Sequence, residues 1–317
     1  MTLEATYRQP GCTLDYTPAA AWTAGQVFQL PDGRAAVPAN DIASGALGAA
    51  QTEGLFTVIK AATQVWLDGA PIWWDHSANA ATCIPPLVAG DRDFFLGTAV
   101  GDVASAAVSG AVNLNVQPRY IIDYQRDGGD TAVVLTVGTP YIYSRGGSLE
   151  SGFSLTAEAQ KLDWISKRSF TKDSNWILEA VLEVVANADA DVGDLNVGVA
   201  NATHASDADS ITESNFFHFD MGADLNLDAE SDDGTTEVAA TDTEVDWAVG
   251  TPIHLVIDGR DPSDIQMYVN GVLVLGSTVF TLAAATGPLK AIVHLEKSSN
   301  DSPGVVQLDM LRVRTQE

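Results

Sequence analysis

Almost nowhere in this chain do apolar residues hold a helical period for three turns. Short runs rich in Val, Ile, Thr, Tyr and Phe recur instead, separated by Gly, Asp, Asn and Pro. Successive side chains leave an extended backbone on opposite sides, so such alternation is the mark of half-buried strands. The expected fold class is therefore all-β. The segment that tests this most sharply is Trp176 to Ala186, WILEAVLEVVA, whose Glu179 and Glu183 stand at helical spacing. Its Val content and its alternation favour a strand. Asn270-Gly271, set between the runs QMYV and VLV, predicts a tight type I′ hairpin, because both central positions of that turn need positive φ.

Charge divides the chain. Residues 1–118 carry 10 acids and 4 bases, and residues 119–317 carry 32 acids and 12 bases. Positions 173–259 hold twenty acids and no Lys or Arg. We place a domain boundary after Gln117-Pro118, where an alternating run ends and proline stops further pairing. A net charge of −26 repels phosphates and anionic surfaces, which speaks against nucleic-acid and membrane partners. The most apolar stretch, Val272 to Leu289, is broken by Gly276, Ser277, Gly287 and Pro288, too soon to span a bilayer. The start, MTLEATYRQPGC, lacks the basic and then apolar pattern of a secretory signal, so synthesis in the cytoplasm is expected. Cys12 and Cys83 form no metal-ligand spacing and are read as buried thiols without a disulfide.

In the first domain the expected strands are 25–30, 35–40, 54–60, 70–76, 82–87, 94–100 and 111–116, a spacing that suits a small barrel or sandwich. The stretch GAPIWWDHSANAATC, residues 69–83, offers a sugar platform, half a metal site, or a Cys83–His76 nucleophile and base. Alternation puts Ile72 and Trp74 on one face and Trp73 and Asp75 on the other, so the tryptophans share no platform and Asp75 and His76 share no metal. SANAA is then the turn, and Thr82-Cys83-Ile84 begins the return strand. The pieces Gly69-Ala70-Pro71-Ile72-Trp73-Trp74-Asp75, Phe95-Leu96-Gly97-Thr98-Ala99-Val100 and Val112-Asn113-Leu114-Asn115-Val116, preceded by GLFTVIKA, resemble the small β-barrel of tailed-phage capsid decoration proteins. That resemblance implies a head-stabilising protein that binds the major capsid protein, as a homotrimer, with Asp75 closing a hairpin turn. The N-terminal arm Thr2, Leu3, Glu4, Ala5, Thr6 and Tyr7 is β-prone and stopped by Pro10-Gly11. It could add as a strand to a neighbouring sheet, which the resemblance identifies as the capsid shell, or it could be a frayed terminus.

From Ala157 the chain reads as a succession of strands long enough for two antiparallel sheets packed face to face. The run HLVIDGRDPSDIQMYVNGVLV, followed by VQLDMLRVR, resembles the concanavalin A-like jelly roll of lectins, laminin-G-type modules and glucanases. Retaining glycosidases on that scaffold carry E-x-D-x-x-E, and this motif is absent, so no catalytic residue, enzyme activity or cofactor is expected. Asp228, Glu230 and Asp232 alternate and could offer oxygens to Ca²⁺, or form a solvated strand end. Trp247, Phe217 and Tyr268 could stack on a sugar, or belong to the core. None of His76, His204, His218, His254 and His294 forms an H-x-H or H-x₃-H pair, which argues against zinc. Together these readings describe a structural protein of the outer virion surface carrying an outward, lectin-like module. The alternative is an adhesin that recognises a surface glycan.

Overall fold

The computed structural model describes residues 12–87, 92–124, 129–135, 141–145, 148–153, 158–187, 193–203, 208–221, 225–300 and 304–316. It divides the chain into two compact units, Met1–Pro118 and Arg119–Glu317. Both are built of antiparallel β-sheet, and no helix among the described residues is long and apolar enough to cross a membrane.

The first unit contains two sheets. Strands β1 (Thr13–Tyr16), β2 (Phe28–Gln29), β3 (Ala35–Pro38) and β4 (Gly48–Gln51) pair in the order β1-β4-β3-β2. Strands β5 (Leu55–Ile59), β6 (Pro71–Asp75), β7 (Ala80–Thr82), β8 (Phe94–Ala99) and β9 (Ser109–Leu114) pair in the order β5-β9-β8-β6-β7. A parallel bridge from Lys60 to Ala81, with the Ala61 amide donating to the Ala81 carbonyl at 2.8 Å, joins the two ends of this second sheet into a small barrel. Its core gathers Trp66, Ile72, Trp74, Leu96, Val112 and Leu114. Asn115, at φ 60, ties the sheets together: its amide oxygen accepts from the Ala35 N–H at 2.8 Å, and its amide nitrogen donates to the Ala35 and Thr52 carbonyls at 2.8 and 2.7 Å.

The two sheets repeat one plan. The strand order β1-β4-β3-β2 corresponds to β5-β9-β8-β6, and the connecting segments match bond for bond. Trp22 exchanges both backbone hydrogen bonds with Ile42, as Trp66 does with Val103. The Gly25 amide donates to the Pro38 carbonyl and the Gly69 amide to the Ala99 carbonyl. Asp41 accepts from the Ala24 amide at 2.8 Å, and Asp102 from the Asp68 amide at 2.7 Å. The sequences Asp41-Ile42-Ala43-Ser44 and Asp102-Val103-Ala104-Ser105 carry the same turn, with Ala46 donating to Ala43 and Ala107 to Ala104. The β6–β7 hairpin has no counterpart in the first half.

Several local expectations change. The return strand after Trp74 is Ala80–Thr82, and Cys83 lies just beyond it. The turn tightens to four residues because Asn79 takes a left-handed conformation, φ 51, and Asp75 accepts from Ser77 N–H, Ser77 O–H and Ala78 N–H at 2.7 to 2.8 Å. Cys12 is exposed, whereas Cys83 is buried and faces Gln64 and the Val65 carbonyl, so only one of the two thiols is interior. Strands β1 and β4, each four residues long and the latter made of Gly, Ala and Gln alone, were not anticipated.

The second unit is a sandwich. One sheet comprises β10 (Ile122–Asp123), β12 (Tyr141–Arg145), β13 (Ser148–Gly152), β15 (Trp176–Asn187), β20 (Ile253–Gly259), β21 (Gln266–Val269), β22 (Val272–Val274) and β24 (Gly304–Thr315). Its order is β12-β13-β24-β15-β20-β21-β22, with β10 also beside β24. The other runs β11-β14-β23-β16-β17-β18-β19, from β11 (Gly129–Leu135), β14 (Glu158–Ser166), β16 (Gly193–Ala200), β17 (Ser214–Asp220), β18 (Asn226–Asp232), β19 (Glu237–Asp246) and β23 (Lys290–Asn300). Leu178, Ala180 and Leu182 from the first sheet meet Leu195, Val197, Phe217 and Phe219 from the second in one apolar cluster. Each fully buried Leu or Phe there contributes about 2 kcal/mol of apolar transfer. WILEAVLEVVA is strand, with Leu178 and Leu182 facing the core and Glu179 the opposite side. Asn270 and Gly271 take φ 49 and 76, joining β21 to β22 by the expected mirror-image turn.

Candidate functional site

In the seven-stranded sheet, alternation fills one face with core residues and leaves the other to polar ones. Register then lines up residues far apart in sequence. Asp163 lies opposite His294, His294 opposite Asn196, Asn196 opposite His218, and His218 opposite Asp228. A polar row thus crosses β14, β23, β16, β17 and β18. The adjacent row runs Ile165, Ile292, Gly198, Phe216 and Glu230. Ala208 and Ile211, from the segment between β16 and β17, pack on Phe216 and Ile292 and partly cover this face.

At the centre stand Asp209, His218 and Glu230, with one potential ligand atom of each within 4.8 Å of the others. The Asn196 amide nitrogen donates to Asp209 Oδ1 at 2.8 Å and to Glu230 Oε1 at 2.9 Å, so it holds both carboxyl groups in place. His218 Nε2 donates to Asp194 Oδ1 at 3.3 Å. Its other nitrogen, Nδ1, lies 3.5 Å from Asp209 Oδ2 and has no hydrogen-bond partner. His218 and Glu230 are buried at 8% and 7% exposure, Asn196 at 0%, while Asp209 is exposed.

The charges in this cluster are strongly interdependent. Burial alone would pull the His218 imidazole down, but the hydrogen bond to Asp194, the close approach of the Asp209 carboxylate and the charges of both push it up to about 11. Burial, and then the neighbouring Asp209 charge, push Glu230 up to about 8. Burial also acts to raise Asp209, yet His218 outweighs it and holds that carboxyl at about 2. Without a bound ion, the arrangement at neutral pH is an imidazolium between two aspartates beside a protonated Glu230. Chemically the cluster can share protons or bind a cation; a large substrate meets Asp209 first and the buried Glu230 hardly at all.

Farther along the row, His294 donates from Nδ1 to Asp163 at 2.6 Å and from Nε2 to Glu296 at 3.1 Å. Burial opposes the charged ring, and these two hydrogen bonds nevertheless raise its pKa. His294 is wholly buried and serves as a cross-strand tie between β14 and β23.

The residues singled out in the sequence are distributed differently. Of Asp228, Glu230 and Asp232, only Glu230 joins a ligand cluster among the described residues; Asp232 accepts from the Gly234 amide at 2.7 Å and shapes the following turn. Glu230 and Asp233 are buried, so this strand end is not the solvated acidic run that its composition suggests. Phe217 and Trp247 lie in the sandwich core, and Tyr268 is buried on β21, so none of the three offers an open stacking face. His76 is exposed at its hairpin while Cys83 is buried against Gln64. The arm Thr2, Leu3, Glu4, Ala5, Thr6 and Tyr7, and His204, lie outside the described residues. His218 escaped sequence reading because it meets Glu230 only through the pairing of β17 with β18, and Asp209 because it arrives from the segment between β16 and β17, where Asn196 holds it; the available signal was the alternation placing His218 and Glu230 on the noncore side of their strands.

No curated protein matches the chain in sequence. Among solved structures, the potassium-bound carbohydrate recognition domain of Emp46p is similar at 11% identity, over 61% of this chain and 92% of its own, with a TM-score of 0.41. A structure reported with endo-acting O-glycanases of the human gut microbiota is similar at 11% identity, over 63% of this chain and 100% of its own, at TM-score 0.45. A Bacillus subtilis protein with a galectin-like fold is similar at 10% identity, over 62% and 96%, at 0.42. Residues 8–114, within the first unit, match the family model described as phage cement protein.

Proposed function

We propose that this chain is a decoration protein of a tailed-phage capsid. Residues 1–118 attach to the outer surface of the shell through the major capsid protein, as a homotrimer, and residues 119–317 form an outward, lectin-like module. The observation that carries this reading is the match of residues 8–114 to the phage cement family. An apolar stripe supports it: Leu55 and Ile59 alternate with Thr57 on the sheet-end strand β5, and both are exposed, at 64% and 65%, as is Val108 at 79%. A run of exposed apolar side chains on one strand is the kind of surface that contact with another chain covers. The acidic balance of residues 119–317 suits the outside of a shell, away from packaged DNA. Binding only to the assembled form stabilises that form by mass action.

The test is co-sedimentation of the full chain with undecorated shells of the phage that encodes it, together with the mass of the unbound chain in solution. Saturable binding, a threefold mass and greater resistance of the shell to heat are expected. The variant Leu55→Asp/Ile59→Asp should lose binding while keeping the circular dichroism of the parent. A chain lacking residues 2–7 that bound undiminished would exclude the arm as the contact. Failure of the full chain to bind any form of the shell would overturn the reading.

A further inference from the structure

We propose that Asp209, His218 and Glu230 bind one divalent transition-metal ion of the zinc class, with Asp194 and Asn196 positioning the ligands. The geometry of His218 carries the argument. Its Nε2 is committed to Asp194 at 3.3 Å, which fixes the ring and points Nδ1 to the side of Asp209, 3.5 Å from its Oδ2, where a metal ion would take the place of the Nδ1 proton. A metal-ligating histidine is held in this way, its far nitrogen donating to a carboxylate that orients it and strengthens its basicity. That Nδ1 is buried and makes no hydrogen bond of ordinary length, its ion-pair partner Asp209 Oδ2 standing 3.5 Å away, and a buried polar atom so loosely satisfied is unfavourable. An ion at that point would satisfy it.

The carboxyl groups are arranged to match. Asn196, wholly buried, donates to both Asp209 and Glu230 and so turns one oxygen of each toward its own amide, while its Oδ1 is left without a partner in the same buried cluster. Ligand atoms bound to a single ion at about 2.0–2.3 Å lie no more than about 4.6 Å from each other, close to the spread observed here. The donor set distinguishes between ions. Calcium takes six to eight oxygens, and this cluster supplies one imidazole and two carboxylates; an imidazole with two carboxylates and an open position suits zinc and its neighbours in the first transition row. Asp209 is the exposed member, so the ion would enter past it and the open position would face that side. Asp209 belongs to the segment that packs on Phe216 through Ala208 and Ile211, and the ion would therefore pin this segment to β17 and β18.

The experiment uses the full chain, purified without a polyhistidine tag, stripped with chelator and dialysed against Zn²⁺ or Co²⁺. One equivalent of zinc by elemental analysis is expected, together with visible Co²⁺ d–d absorption of a nitrogen and oxygen site and a melting temperature that rises with free Zn²⁺. Glu230→Gln and Asp209→Asn should each lower affinity at least tenfold, and Asp232→Asn, an acid outside the cluster, should leave it unchanged. Asp209 is exposed, so its variant tests the site even if Glu230→Gln fails to fold. Absence of stoichiometric uptake between pH 6 and pH 8, or uptake indifferent to Asp209→Asn, would overturn the proposal and leave the cluster as an imidazolium network.

Discussion

Lowering the pH should weaken the second unit through one histidine. His254 is 2% exposed on β20, and burial, opposed by Glu179 and reinforced by Arg314, holds its imidazole at about 4 against an ordinary 6.5. Because the folded pKa is depressed, the unfolded chain binds more protons throughout the window between those two values, and stability falls as pH falls through it. Linkage over that shift gives a loss of about 2.5 kcal/mol between pH 7 and pH 4.5 from this residue alone. Carboxylates titrate in the same range, so the measurement has to be a difference. Urea unfolding of the parent and of His254→Leu, followed by tryptophan fluorescence at both pH values, isolates the contribution: the variant should lose about 2.5 kcal/mol less than the parent. His254 Nδ1 has no partner, so leucine forfeits no side-chain hydrogen bond at that atom. Equal losses in parent and variant, or an NMR titration of the His254 ring near 6.5 in the folded chain, would refute the argument.

Two further predictions concern buried polar ties. Glu179 and Arg314 pair inside the second unit at 3% and 4% exposure, with Glu179 Oε2 and Arg314 Nε and Nη2 lacking partners. Arg314→Met should destabilise by about 3–5 kcal/mol because it strands a buried carboxylate, while the double variant Glu179→Leu/Arg314→Met should recover most of that; simple additivity in urea unfolding would contradict this account. In the first unit, Asn115→Gly keeps the positive φ but removes three hydrogen bonds to Ala35 and Thr52, an expected loss of about 3 kcal/mol. Thermal unfolding of that variant at the parent temperature would show that the two sheets do not depend on this tie.

Much of the fold can be read from alternation. The β15 pattern outweighs the helical spacing of its glutamates because Leu178, Ala180 and Leu182 all need the same core face, and Asn270-Gly271 specifies its turn through backbone sterics alone. The internal repeat was equally open to inspection in Asp41-Ile42-Ala43-Ser44 and Asp102-Val103-Ala104-Ser105, but the β6–β7 hairpin spoils a constant period. The candidate site was a different matter. Asp209, His218 and Glu230 lie on separate segments, and nothing local in the chain reports that β17 and β18 pair with His218 opposite Asp228. Motif spacing finds metal ligands only when they share a strand, a helix or a turn. His218 and Glu230 are joined by register, which belongs to the assembled sheet, and Asp209 by the segment between β16 and β17 folding onto that sheet.

Donors supplied by other strands and by loops explain how so acidic a stretch can be buried. Between residues 173 and 259 there is no Lys or Arg to neutralise twenty acids, so each interior carboxylate there needs another source of positive potential. Glu179 takes it from Arg314, delivered by β24. Glu213 takes it from the Thr286 and Gly287 amides, and Asp233 from those of Thr235, Thr236 and Ala284; in both, burial raises the pKa and these hydrogen bonds bring it down below the ordinary value. Among the described residues Glu230 receives only the Asn196 amide as a side-chain donor, and it faces Asp209, a second acid. Its pKa moves the opposite way, up to about 8. A buried carboxyl group with so little compensation has two routes to neutrality, a proton or a cation, and the orientation of His218 beside it favours the cation whenever one is available.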